Sequence, residues 1–257
     1  MDPLDGARLK VVWADKHLDS LKSEVATFLN THPYRLVADD DMQYWRVYPR
    51  ADSVPDPIKL IAGDCIACLR AALDYIAWAL AVRWAGRPLA PPPAGDDKPY
   101  FPLFNSRGAF HSVVVKDKRG LAKRFSIPAP TLSELDSAQP YPGRNQALWY
   151  LYLLVNHDKH RLPVLGVTVV SGADVFVCVH GRWTQLASGM TDDPRLSLPV
   201  GYTAGNPLMS NDVQMHIKAT GFVSFDDVAV PREPIDVTLG DIIKTVKDLI
   251  PKFVPFV

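Results

Sequence analysis

The stretch that most constrains the fold is DPIKLIAGDCIACLRAALDYIAWALAVRWAG, residues 56–86. It has the length and period of a long helix, with Pro57 near its start and Gly86 just past its end. At 100° per residue, Cys65, Ile66, Leu69, Ala72, Leu73, Ile76 and Leu80 fall on one broad apolar face. The opposite side carries Ala67, Arg70, Ala71, Asp74 and Trp78. Small residues and a tryptophan are a poor solvent face and invite a second packing partner. A helix with two usable faces belongs in the middle of a bundle.

Other segments supply its neighbours. Residues 5–30 show Leu9, Trp13, Leu18, Leu21, Val25 and Phe28 at helical steps with charges between them, and His32–Pro33 ends the run. Residues 144–161 are apolar almost throughout until they break into Asn156, His157, Asp158, Lys159, His160 and Arg161. Residues 238–253 place Leu239, Ile242, Ile243, Val246, Leu249 and Ile250 on one face. Residues 34–49 read as two short strands around an acidic turn. From 164 to about 230 the chain turns β-branched, broken by Gly, Asp and Asn. Between 87 and 142 prolines punctuate short helices expected near 107–114 and 131–137. The expected fold is α+β: a helical bundle of four main helices (5–30, 57–86, 144–161, 238–253) with an antiparallel β segment, 164–237, inserted before the last helix. No linker stands out, so residues 1–257 read as one domain.

Lys+Arg and Asp+Glu both number 28, so no global field attracts a polyanion, and any nucleic-acid contact must come from a local patch. Three cysteines do not suggest a disulfide scaffold, and the acidic start MDPLDG lacks the apolar core of a signal peptide. No run reads as a membrane span, and the expected location is the cytoplasm.

Chemistry is expected where polar side chains leave an apolar element. On a helix, Asn156 and His160 are i,i+4 neighbours; the imidazole can take or give a proton while Asn156 fixes its tautomer. Asp158 and Arg161 stand at i,i+3, and a guanidinium there can grip phosphate or carboxylate. The plain alternative is a helix end whose basic residues complement the macrodipole. Arg70 and Asp74 form an i,i+4 pair, in isolation only an intrahelical salt bridge. If the two clusters face each other, Arg70, Asp74, Asn156, Asp158 and His160 make a pocket inside the bundle. The most basic run, KDKRGLAKR, offers Lys116, Lys118, Arg119, Lys123 and Arg124 to phosphates, with Arg107 and His111 just before it; a solvated loop is the plainer alternative. Cys65, Cys68, His157 and His160 are zinc-ligand types, but Cys65 falls on the apolar face and packs as a small hydrophobe. No metal and no cofactor is expected, and neither a P-loop, a Rossmann loop nor a G-x-S-x-G elbow is present.

The pairing of GDCIACLRAALD with a downstream NHDKHR resembles a recurrent bacterial protein type marked by G-D-x4-L-R-x-A-L-D and D-K-H-R, with weaker echoes in YFP at 100–102 and QPY at 139–141. More distantly, the bundle resembles HEPN domains. That resemblance implies RNA or nucleotide binding, metal-independent ribonuclease activity in many members, and homodimers. Residues 156–160 match the second half of the HEPN signature. Its arginine, due five to seven positions before His160, is replaced by Leu153, Leu154 and Val155, so Arg70 or Arg161 would have to stand in. A non-catalytic interaction module with a structural DKHR network, and an enzyme using a small ligand between the same helices, are the competing expectations.

Overall fold

The structure is a computed structural model that describes residues 2–41, 44–89, 99–158, 162–179, 182–191, 196–199, 202–203, 206–207, 213–226 and 230–257. The fold is α+β. In chain order it runs α1 (Asp5–Asn30), β1 (Tyr34–Asp41), β2 (Tyr44–Ala51), α2 (Asp56–Trp84) and α3 (Arg107–Phe110), which leads into a wide π turn (His111–Lys116). Then come α4 (Leu121–Arg124), α5 (Ala129–Ser137) and α6 (Gln146–Asp158). The strands β3 (Leu165–Val179), β4 (Arg182–Thr191), β5 (Leu196–Pro199), β6 (Tyr202–Thr203), β7 (Asn206–Pro207) and β8 (Val213–Phe225) come next, and α7 (Ile235–Phe253) closes the chain with a short 3-10 turn.

Where the sequence reads as one domain, the chain packs as two compact units. The helical unit holds Met1–Glu24, Asp56–Val164 and Phe225–Val257; the β unit holds Val25–Pro55 and Leu165–Ser224. The division has a simple origin: β2 pairs antiparallel with β5, so the early hairpin and the later strands build one body from two distant stretches. Within that body, β3 is flanked by β4 and β8; β3 and β4 pair antiparallel, with a register shift at Val175/Phe176. Thr168 and Ser224 hydroxyls meet at 2.7 Å.

In the helical unit α2, α6 and α7 pack on one another. All seven residues assigned to the apolar face of α2 are buried. By length and composition α2 would suffice to cross a membrane, contrary to the sequence expectation; here it is the core helix, touching both α6 and α7. α7 begins at Ile235, one turn earlier than expected, because Pro234 fixes the entry and Ile235 itself is buried.

The packed stripe of α1 differs from the expected one. Leu4, Ala7, Val11, Ala14, Leu18 and Leu21 are buried, whereas Leu9 (58% exposed) and Trp13 (52%) face outward. Alanines decide this: with a methyl at Ala14, the Cys65 thiol reaches the Ala14 carbonyl at 3.5 Å. Trp13 instead lies under the Lys16 ammonium, 4.4 Å from its ring centre.

Candidate functional site

The site forms where an extended segment, 99–104, is threaded between α2 and α5. Arg70 and Asp74 do more than pair along their helix. Arg70 donates to both Asp74 oxygens, at 3.2 and 2.7 Å, and its Nη2 also donates to the Phe101 carbonyl at 3.0 Å. The Phe101 amide donates to Asp74 Oδ1 at 2.9 Å. From the other side, fully buried Gln139 accepts from the Phe104 amide at 3.0 Å and donates to the carbonyls of Pro102 (3.0 Å) and Leu135 (2.8 Å). The Phe101 ring meets Phe253 of α7 edge-on, centroids 5.9 Å apart. A segment with few backbone partners of its own is thus satisfied by three side chains. The YFP and QPY echoes are the two ends of this clamp.

In front of the clamp lies a cavity of about 650 Å³. One wall is the clamped segment, with Tyr100 exposed at its rim and Phe104 beside it. The floor comes from α2 (Arg70, Asp74) and α6 (Tyr152, Val155, Asn156). Tyr152 is stacked on Trp149, centroids 4.9 Å apart, which holds its ring in place. The facing wall is made by the π turn, the bend after it and α4: Val113, Val114, Arg119, Gly120 and Arg124.

That second wall has a local cause. Val113, Val114 and Val115 are three β-branched residues in a row, poor company for a tight α turn. The turn widens, and the Asp117 amide donates to the Ser112 carbonyl, five residues back, at 3.0 Å. The chain then passes close to two carbonyls at Gly120, where a Cβ would sit 2.3 Å from the Val113 oxygen and 2.7 Å from that of Val114. Glycine alone fits. Asp117 caps the bend by accepting the Arg119 amide at 2.8 Å, leaving the Arg119 side chain exposed at the cavity wall. The Arg124 guanidinium lies 5.1 Å from the Phe125 ring centre.

The residues singled out in the sequence therefore separate into groups. Arg70, Asp74 and Asn156, three of the five residues of the facing-cluster expectation, line one cavity, and Arg119 and Arg124 join them from the basic run. Lys116 lies outside this cavity, with its carbonyl accepting from the Lys123 ammonium at 2.7 Å; Lys118 and Lys123 are exposed. Asp158 ends α6. His160 and Arg161 lie outside the described residues. Sequence reasoning missed Tyr100, Phe104 and Tyr152 as lining residues and Gln139 as an anchor, although the YFP and QPY echoes contain Tyr100 and Gln139.

Arg70 and Asp74 hydrogen-bond to the Phe101 backbone as well as to each other, so both help to position the wall. Cys65 is buried and its thiol is pushed up to about 12, chiefly by that burial. Among the described residues no group of three or more His, Cys, Asp or Glu is placed to hold a metal ion.

No protein-family model matches the chain, and no curated protein and no solved structure is significantly similar to it.

Proposed function

We propose that this is a cytoplasmic, HEPN-like protein that binds RNA or a nucleotide in the cavity of its helical unit. One observation carries the reading: Arg119 and Arg124 of the basic run share a single cavity with Asn156 and with the aromatic rings of Tyr100, Phe104 and Tyr152. Guanidinium groups lining one cavity with aromatic rings suit a phosphate joined to a flat base. In the cleaving version of this function, His160 takes the proton of the attacking hydroxyl or returns one to the leaving oxygen. Asn156 orients its imidazole, and Arg161 or Arg119 neutralises the phosphate. Arg70 is less suited to that task, because its donors already serve Asp74 and Phe101.

Fluorescence anisotropy with a labelled single-stranded RNA tests the binding. Affinity should fall about tenfold in Arg119→Ala. Protein that binds neither RNA nor a nucleoside monophosphate at low salt overturns the proposal. If the protein cleaves RNA, His160→Ala should abolish cleavage while the melting temperature holds within a few degrees.

A second reading, a non-catalytic interaction module, is favoured by the clamp itself, since two motif residues do structural work in it. Under that reading the purified protein shows no raised 260/280 nm absorbance ratio and His160→Ala is felt only in stability. For assembly we take a homodimer as the reading, supported by Leu9, Val12 and Trp13, each about half exposed along the outer side of α1. A light-scattering mass near 28.5 kDa at micromolar concentration would refute it.

A further inference from the structure

The π turn has two sides. Val113 and Val114 face the cavity already described, whereas His111, Ser112 and Lys116 line a second, more open hollow of about 490 Å³ together with Arg107 and Gly108. One turn of chain is thus a partition with a concavity on either side. Both concavities belong to the helical unit.

Their charge is of one sign. Over residues 107–124 there are six lysines and arginines against a single acid, Asp117, in a chain whose totals balance at 28 and 28. Asp117 is engaged by the Arg119 amide. Arg107 touches the Asp136 carboxylate through Nε at 3.2 Å, yet its side chain remains 78% exposed, so the terminal nitrogens of its fork reach solvent. His111, Ser112, Lys116, Lys118 and Arg119 are all exposed. The basic surface therefore runs from one hollow over the partition into the other, while the aromatic rings are confined to the first.

From this arrangement we infer that the ligand is a single-stranded RNA segment lying across the π turn. One nucleotide enters the aromatic cavity, and the phosphates of its neighbour rest on Arg107, His111 and Lys116 in the second hollow. The inference rests on the proposed RNA or nucleotide binding and narrows it. A mononucleotide in the first cavity carries no further phosphate to the exposed Arg107 and Lys116, whereas a strand does. A duplex cannot place a paired base among Tyr100, Phe104 and Tyr152 without unstacking it. Arg107 and His111, which stand before the run KDKRGLAKR, become binding residues. Successive phosphates on a flexible single strand can take such a path, and each contact releases counterions on binding.

The test uses the full-length protein, a labelled octanucleotide of mixed sequence, the matching duplex, and a labelled nucleoside monophosphate. The double variant Arg107→Gln/Lys116→Gln alters only exposed side chains. It should weaken octamer binding about tenfold and reduce the slope of log affinity against log salt by about 1.4, the value for two lost phosphate contacts on a single strand. Its affinity for the monophosphate should stay at the wild-type level, and the duplex should bind more weakly than the octamer throughout. Arg119→Ala should weaken octamer and monophosphate alike. Unchanged octamer affinity and salt slope in the double variant, with Arg119→Ala still impaired, overturns the two-hollow path but leaves nucleotide binding in the cavity intact. Failure of octamer and monophosphate both to bind the wild type overturns the two together.

Discussion

The two walls of the cavity carry the same side-chain type in opposite circumstances. On the clamp side, Arg70 is about one-fifth exposed and directs its donors at Asp74 and the Phe101 carbonyl. On the π-turn side, Arg119 stands exposed, its bend fixed through its backbone amide rather than its guanidinium. An arginine whose donors complete the fold is a strut. One whose donors face a concavity is available to a ligand. Motif position does not separate the two cases, because Arg70 lies in the more recognisable motif and Arg119 in an ordinary basic run. What separates them is what each side chain meets: the threaded segment presents the Phe101 carbonyl to Arg70, while the Arg119 side chain stands exposed at the cavity wall.

That contrast can be broken most severely at Gln139. Replacing it by leucine leaves the Phe104 amide and the Pro102 and Leu135 carbonyls without their side-chain partner in a buried site, at about 1–3 kcal/mol per stranded group before relaxation. We expect a loss of ~4 kcal/mol in chemical denaturation. A loss below ~1 kcal/mol would mean that the clamp is not what holds the wall. Asp74→Ala comes next. It removes the acceptor of the Phe101 amide and the partner of Arg70, and partial exposure of the pair limits the cost to ~2 kcal/mol. Gly120→Ala should cost a similar or slightly smaller amount, because the obstructing atoms are backbone oxygens and the π turn must shift. Its distinctive mark is that ligand affinity falls with stability, whereas a clamp variant that still folds at low temperature keeps Arg119 and Arg124 on their own element.

A smaller effect links the walls. Asp136 accepts from the Tyr141 hydroxyl at 2.6 Å and meets Arg107 at 3.2 Å. Burial, and then this bond to Asp136, push the Tyr141 phenol well above the usual range. The folded state therefore holds the proton more tightly than the unfolded chain. The resulting stability is fully present below about pH 10, the unfolded value, and is lost as pH rises further toward the folded one. Tyr141→Phe should lower stability at pH 7 by ~1 kcal/mol and flatten the alkaline decline. An equally steep decline in the variant assigns it to another group, for example Cys65, whose thiol is shifted in the same direction.

Much of this is legible in the sequence, and the failures are instructive. The four main helices and their α+β setting come from period, because α2 and α7 bury whole stripes of large side chains. On α1 hydropathy finds the buried Leu18 and Leu21 but adds the exposed Leu9 and Trp13 to them, while the buried Ala7 and Ala14 are overlooked. Helix faces put Arg70 and Asp74 in one polar cluster and Asn156 in another; a shared pocket follows only if the two clusters face each other, and these three residues line one cavity. That Arg119 and Arg124 would join them is not legible. Their own wall has local causes, but the clamped segment opposite is held by bonds between residues far apart in sequence, such as Phe104 to Gln139, and no local period encodes those.

Arg119→Ala is the smallest perturbation of the fold and the sharpest test of the contrast. Its side chain is exposed and its backbone bond to Asp117 survives truncation, so stability should change by no more than about 0.5 kcal/mol. Binding of single-stranded RNA should nonetheless weaken, and the salt slope should fall by about 0.7 for the one phosphate contact removed. Arg70→Ala provides the mirror image: stability drops by ~2 kcal/mol as the Phe101 carbonyl and Asp74 lose their donor. Any loss of binding in that variant should track the fraction unfolded, with the salt slope unchanged. If both variants lost affinity with the same change in slope at equal stability, the two arginines would be doing one job, and the division into strut and ligand-facing cation would fall.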